Sequence, residues 1–469
     1  MTLWTSEAIA RATNGRSASH FDVTGISIDS RSVQPGDLFV ALKGPQNNGH
    51  DWVVQALRAG ASGALVHHPI SGCDAGRLIT VADTFQALCR LGYAARDRYA
   101  GQLVGITGSV GKTSTKDMLA HVLSGEGGIH AAVGSLNNHW GVPVTLARMS
   151  AEGRCAIVEM GMNHANELRD LSMMARPHVV AITWVAAAHL EFFADVSQIA
   201  EAKAEIFDGV SPQGSAVLPV DNSHYSLLRA RAQERCLNVV TFGCAHEADF
   251  CLRNVTVTPQ GTHVQATCMG NDLRYSLRCV GEHWARNSLT VLASVYALGL
   301  DVRVAAERLL SLVPSIGRGR VCTLILPSER GHITLIDESY NANPTSMQAA
   351  LASLAVAVPR AGGRRIAVLG DMLELGQTAP DLHRALAHDV VKHGIEHVYT
   401  VGSLMQNLNE ALPKTVYGVH AADSEAVSSV LLDDLCDGDV LMIKGSAGSG
   451  MKKVLSFLET CVGQSKQTV

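Results

Sequence analysis

The run GITGSVGKTST, residues 105–115, decides how the chain is read. An apolar stretch at 103–106 leads into it, Gly108 and Gly111 precede Lys112 and Thr113, and a helix-like segment continues to residue 125. Strand, glycine-rich loop and helix in this order let backbone N–H groups converge on a phosphate chain at a helix N-terminus, where the helix dipole favours anions. On this reading Gly108, Ser109, Val110, Gly111, Lys112, Thr113 and Ser114 cradle a nucleoside triphosphate. Lys112 adds a point charge there, and the Thr113 hydroxyl can ligate Mg²⁺. The spelling is GxxGxxGKT rather than the strict GxxxxGK[ST], because Gly105 lies one residue too far upstream and Ile106 holds the place of the first glycine. A bland glycine-rich turn would rarely supply the strand, the Gly-Lys-Thr and the helix together.

The length of 469 residues suggests about three domains and a sizeable buried interior. A net charge of −5 with dispersed Lys and Arg leaves no basic stripe, so nucleic acid is not an expected partner. Eleven cysteines, an odd number without a C-x-x-C pair, argue for reduced cytosolic thiols over a disulfide framework or a structural zinc. The N-terminus lacks a basic then apolar leader, and no apolar run approaches the ~18 residues of a membrane span. A soluble, unprocessed, cytoplasmic protein is expected.

Upstream of the loop, a capped helix at 5–12, alternating strands at 21–44, a helix at 52–59 and a strand at 63–66 make a small α/β module that ends near 99–102. By itself the DSR at 29–31 is a polar turn. Downstream, LNNHWGVPVTL (136–146) reads as a loop and a capped helix. The run CAIVEMGM then brings Glu159 to the carboxyl end of a strand, where doubly wound sheets place their ligands. Glu159 is thus a Mg²⁺ partner, directly or through water, unless it is a plain surface carboxylate. VVAITWV runs into AAAHLEFF and presents His189 and Glu191 at the same edge.

In 196–207, Val196, Ile199, Lys203 and Ile206 recur at helical spacing, so a lysine shares the apolar face. Burying an unpaired ammonium is costly. Snorkelling or an internal ion pair would resolve it, and so would conversion to an anion by CO₂, which spacing cannot decide. His283 and Asn287, four apart at the start of the helical GEHWARNSLTVLASVYALG, can face a ligand.

The segment VPSIGRGR (313–320) marks a second boundary. After it, IAVLG, HVYTVG and DVLMIKG are apolar runs ending in glycine, separated by helical segments. They form a parallel doubly wound sheet without the G-x-G-x-x-G fingerprint of NAD. In ITLIDESYNANPTSM, Asp337, Glu338, Tyr340, Asn341 and Asn343 crowd a turn closed by Pro344, which suits a small polar ligand. Turn chemistry alone would also explain the Asn and Pro.

Taken in order, GISIDSRSVQPGDLFVALKG, GITGSVGKTSTK, NNHWGVP, EMGM, AAAHLEFF with AKAEIF, the His283 and Asn287 pair, DESYNANPTSM, GDMLELG and KGS resemble the Mur ligase family over nearly the whole chain. The resemblance implies an α/β protein of three domains. Residues 1–100 would bind a UDP-sugar, 101–313 would form an ATP-binding P-loop domain with a mostly parallel sheet, and 314–469 would form a Rossmann-like acceptor domain. It also implies an ATP-dependent C–N ligase of peptidoglycan precursor synthesis. That ligase would join D-alanyl-D-alanine to UDP-N-acetylmuramoyl-tripeptide through an acyl phosphate, acting as a monomer.

By the same likeness Ser30 and Arg31 belong to the UDP site, and Lys112 and Thr113 hold the β,γ-phosphates and a first Mg²⁺ together with Glu159. His189 and a carbamylated Lys203 serve a second Mg²⁺, Asn287 reads adenine, Glu338 the ribose, and Arg320, or else Arg318, reaches the γ-phosphate. Asn341, Asn343 and Ser346 would supply the polar end of the acceptor pocket. Trp184 and Trp284 stand where the family usually has asparagine, Glu338 where it has aspartate, and Ala447 where an arginine is common. These departures bear on base and ribose contacts more than on phosphate chemistry. The ligase that adds the third residue is disfavoured because DNPR is absent, and folylpolyglutamate synthetase is a more distant cousin. A P-loop GTPase switch would need an N-K-x-D motif, which the chain lacks.

Overall fold

The computed structural model describes residues 2–327, 330–360 and 362–464. Three main sheets follow one another along the chain. The first has five strands in the order Arg16–Ser17, Leu78–Thr80, Gly63–Val66, Asp37–Val40, Gly25–Ser27, all parallel except the outermost pair at Arg16–Ser17. The helix expected at 5–12 spans Ser6–Thr13, and its Thr5 cap accepts the Ala8 N–H. The one expected at 52–59 begins as a 3₁₀ turn, Gly49–Trp52, and becomes helical only over Val53–Arg58.

The central sheet has nine strands, and the strand that feeds the glycine loop, Gln102–Thr107, lies between Cys155–Glu159 and Val179–Ile182. These neighbours are parallel to it, in a register that sets Glu159 beside Ile106 and Ile182 beside Thr107. The same end of all three strands therefore carries the loop, the carboxylate and the segment leading to His189. Leu103, Val104 and Ile106 are fully buried. Val104 and Ile106 pack with Met118, Leu119, Leu289 and Leu292, whereas Leu103 packs on the opposite face with Val142, Val180 and Ile206. Such two-sided burial is why this strand reads as a continuous apolar run rather than an alternating one. Beyond Asn238–Gly243 the sheet continues into Phe250–Thr258, Gly261–Cys268 and Asn271–Leu277, the last three joined antiparallel.

The third sheet has seven strands. Its parallel part runs Tyr417–Ala421, His397–Val401, Arg365–Gly370, Val440–Lys444, His332–Glu338; Arg320–Ile325 adds an antiparallel strand, and Gly463–Gln464 pairs antiparallel outside it. It is the doubly wound arrangement expected from the apolar runs ending in glycine. All eleven cysteines are free thiols. Among the described residues no helix is long and apolar enough to cross a membrane.

Gly108 has φ +153°, and a Cβ there would strike Thr183 Oγ1, whose hydroxyl donates to Val110 O at 2.5 Å. Gly108→Ala should therefore destabilise the protein by about 1–3 kcal/mol, a left-handed residue being strained and the Thr183 contact displaced. A melting curve should show a drop of several degrees, and an unchanged curve would contradict this packing of the loop.

Candidate active site

The glycine loop turns into the helix Lys112–Leu123, with Gly111 at φ +82° as its cap. A side chain at Gly111 would meet Asn287 Oδ1, which the helix Glu282–Ala297 places against the loop. The loop is held from the next strand as well: Ser109 N–H donates to Trp184 O at 2.7 Å, and Ser109 Oγ to Ala186 O at 2.9 Å. Lys112 is folded onto its own loop, donating to Gly108 O at 2.7 Å.

A cleft of about 650 Å³ opens above this loop. Ser109, Val110, Gly111, Lys112, Thr113 and Ser114 line it, together with Glu159, His189, His283, Asn287 and Glu338. Its roof comes from the C-terminal sheet, with Asn341, Asn343, Ser346, Glu374, Lys444 and Ala447. The two halves touch directly. Arg318 Nη2 donates to Thr113 Oγ1 at 2.8 Å, Asn343 Nδ2 to Ser109 O at 3.4 Å, and Glu191 N–H to Glu374 O at 3.2 Å.

The charges are arranged unevenly. Burial holds the Lys112 ammonium below its ordinary range, with Glu159 opposing that shift and Arg318 adding to it. Lys203, only 2% exposed on the helix Val196–Ala204, is pushed well below the ordinary lysine value, first by burial and then by Lys112. Among the described residues no hydrogen bond or ion pair engages its ammonium, so neither bland solution, snorkelling or an internal salt bridge, is realised. The helix ends at Ala204 and tightens into a 3₁₀ turn, Glu205–Gly209, which keeps Ile206 and Phe207 in the core behind the lysine.

Glu159 is 1% exposed; its Oε1 accepts Asn137 Nδ2 at 2.7 Å, and its Oε2 is buried without a partner among the described residues. An orphaned carboxylate oxygen in a cleft also lined by the Thr113 hydroxyl is the donor chemistry a hard cation such as Mg²⁺ takes. The residues present fit a metal there. His189 Nδ1 lies 2.7 Å from Glu374 Oε2, but off the line a hydrogen bond needs, and has no other partner among the described residues. His189 holds the Glu374 carboxyl below the usual carboxylate range, and Lys112 adds to the effect. At the other end of the cleft Lys444, 2% exposed, donates to Glu338 at 3.2 Å and to Asn341 O at 3.0 Å. His283 beside them is held below its usual value by burial.

Several expected residues are placed differently. Arg318 is the arginine that reaches Thr113, and its guanidinium also lies 4.1 Å from the Tyr340 ring centre. Arg320 opens the strand Arg320–Ile325 opposite Asp337 and is not among the residues that line the cleft. Ser30 and Arg31 also lie outside it, in an exposed turn where Arg31 pairs with Asp29 at 2.6 Å. Asn343 and Ser346 do line the cleft, but they form the capping box of the helix Pro344–Val356, so their polar groups are engaged in starting that helix. Trp284 is buried in the central core yet also lines the cleft, and a side chain at Gly319 would come within contact of its ring. Trp184 lies beside Arg286 rather than in the cleft.

Ser135, within 3.2 Å of Thr113 Oγ1, carried no sequence signal, whereas Asn137 and Lys444 sat in quoted motifs without a role. Away from the cleft, His50, His67 and His68 gather at the edge of the N-terminal sheet. His50 Nε2 accepts the His67 N–H and its Nδ1 meets Asn48 Oδ1, so that ring has no lone pair left for a metal.

Residues 22–81 match the Mur ligase family catalytic domain, 106–295 the Mur ligase middle domain and 324–447 the Mur ligase, glutamate ligase domain. The UDP-N-acetylmuramoyl-tripeptide–D-alanyl-D-alanine ligase of Escherichia coli is 34% identical over 93% of this chain and 94% of its own. A crystal structure of MurF from Acinetobacter baumannii, 29% identical, aligns with a TM-score of 0.83 over 97% of this chain and 98% of that one. MurF ligase from Thermotoga maritima, solved in complex with ADP, is 25% identical, with a TM-score of 0.74 over 94% of this chain and 98% of its own.

The burial of Lys203 has a measurable sign. Its folded value lies well below the 10.5 of a free lysine, so between those values the unfolded chain binds a proton that the folded chain does not. Stability therefore rises with pH across that window. In buffer freed of CO₂ and divalent metal, Lys203→Met should melt higher than wild type at pH 7, and the gap should narrow as the pH approaches 10.5. A variant that melts lower at pH 7 would show that the ammonium is stabilised where it lies.

Proposed function

The chain belongs to the Mur ligase family, and on that premise we propose that it is an ATP-dependent ligase joining D-alanyl-D-alanine to the terminal carboxylate of UDP-N-acetylmuramoyl-tripeptide. The observation that carries this reading is the cleft itself, in which a phosphate loop with buried, under-compensated cations is roofed by the C-terminal sheet. We divide the work among three units. Residues 1–100 hold the UDP-sugar, with Ser30 and Arg31 at its uridine diphosphate end, 101–313 bind ATP and 314–469 present the acceptor. The reaction belongs to peptidoglycan precursor synthesis in the cytoplasm, with the protein acting as a monomer.

A carboxylate does not acylate an amine at neutral pH. The γ-phosphoryl group of ATP is therefore moved first onto the tripeptide carboxylate, giving an acyl phosphate and ADP. The acceptor amine then attacks the acyl carbon, the C–N bond forms, a proton leaves the nitrogen and phosphate departs. Two anions must meet for the first step, so stabilising their combined charge is the main catalytic task.

Lys112 and Arg318 converge on Thr113 and the loop, where the β- and γ-phosphates would lie. Thr113 and Glu159 would hold a first Mg²⁺, and His189 with Lys203 a second, these ions supplying charge neutralisation when bound. For that role Lys203 must become anionic. Its neutral amine would add to CO₂, forming an N–C bond and releasing a proton to solvent, which leaves a carbamate. The depressed ammonium supports this, since a neutral amine is the nucleophile required. Asn287, His283 and Glu338 would face the adenosine, and Asn341 with the Asn343 turn the dipeptide.

Lys112→Ala should lower phosphate release by several orders of magnitude, because its ammonium faces charge that grows in the transition state. Activity within about threefold of wild type would contradict that role. The acceptor is tested by comparing D-Ala-D-Ala, D-Ala and meso-diaminopimelate with matched UDP-sugar peptides. The dipeptide should be preferred over D-Ala by about 10²-fold or more in kcat/KM, since its carboxylate is held further from the attacking nitrogen. Preferred use of the diamino acid would reassign the chain to the neighbouring ligase.

A further inference from the structure

The loop GDMLELG follows the strand Arg365–Gly370 of the C-terminal sheet and returns through the 3₁₀ turn Gly376–Thr378. Its tip is fastened to the central domain at the segment that carries His189. Glu374 O accepts the Glu191 N–H at 3.2 Å, and Glu374 Oε2 stands 2.7 Å from His189 Nδ1. Both residues are left-handed, Glu374 at φ +63° and His189 at φ +58°. Non-glycine residues hold such conformations where surrounding contacts impose them, commonly at functional sites.

A neutral imidazole has one N–H and one bare nitrogen, and the partner of the first decides which nitrogen is left to bind a metal. Metal-binding histidines accordingly donate their other N–H to a carboxylate or carbonyl. We propose that Glu374 is a positioning residue supplied by the C-terminal domain: 2.7 Å from His189 Nδ1 but off the hydrogen-bond line in this structure, its carboxylate turns onto the Nδ1–H when that domain seats fully on the loaded site, and this leaves Nε2 bare as a metal ligand. The second metal site is then complete only when the acceptor domain is closed over the phosphate loop. ATP bound to an open enzyme would lack the charge neutralisation needed for transfer, which protects it from hydrolysis before the acceptor domain arrives.

The inference rests on the two-metal reading above, and the test separates the two. Mn²⁺ is titrated into the full chain with a non-hydrolysable ATP analogue and followed by electron paramagnetic resonance. Wild type should bind two ions. Glu374→Ala should weaken the second by about 10–100-fold, the usual cost of removing such a partner. The first ion and the nucleotide should stay within about twofold of wild type, and added formate should restore the second ion. Glu374→Gln, whose amide oxygen still accepts the Nδ1–H, should lose less than Glu374→Ala. Unchanged second-ion affinity in Glu374→Ala would overturn the inference. Equal losses in both variants would overturn it too, by placing the carboxylate on the metal itself. A wild type that binds a single ion would instead overturn the two-metal reading.

Discussion

Two buried lysines, Lys112 and Lys203, with the charge of the first disfavouring that of the second, set the terms for the rest of this molecule. Glu159 and Glu374 are the carboxylates that favour a charged Lys112, and one Glu159 oxygen has no partner among the described residues. A site built in this way is short of negative charge. A triphosphate delivers what is missing, and a carbamate on Lys203 would deliver the remainder. The strand register that aligns Glu159 with Ile106, and the glycines that let the loop pass under Thr183 and Asn287, all serve to hold these groups within one low-dielectric pocket. There each charge counts for far more than it would in water.

The C-terminal domain contributes to that pocket instead of merely capping it. Its capping-box asparagine reaches the Ser109 carbonyl, and its GDMLELG loop meets His189. The linker before it delivers Arg318 to Thr113. Ligand and acceptor are thereby made to share one cleft, so that a reactive acyl phosphate would form where the amine is already at hand. Lys444, buried, and Glu338, half-buried, form an ion pair at the far end, which keeps a polar face there without adding net charge.

Much of this was legible from residue order, because the three adjacent strands Gln102–Thr107, Cys155–Glu159 and Val179–Ile182 are mainly apolar and lead into the glycine loop, Glu159 and the segment carrying His189. Lys203 could be singled out by helical spacing alone, and its burial bears that out. Other assignments turn on local detail. Arg318 and Arg320 stand in one glycine-rich segment, and the point at which the strand Arg320–Ile325 begins separates them: Arg320 is taken into the sheet opposite Asp337, while Arg318, before it, reaches Thr113. Asn343 and Ser346 look like ligand contacts in sequence, but the helix they begin needs their hydrogen-bonding groups. Glu374 had no readable role because its partner, His189, belongs to a different domain. Spacing along the chain carries no information about such a contact.

The most direct test of this charge accounting is ¹³C NMR of the enzyme equilibrated with ¹³C-bicarbonate, Mg²⁺ and a non-hydrolysable ATP analogue. One carbamate carbon should appear in wild type and vanish in Lys203→Ala. A fully loaded wild-type enzyme without that resonance, or one in which it survives the substitution, would contradict the account.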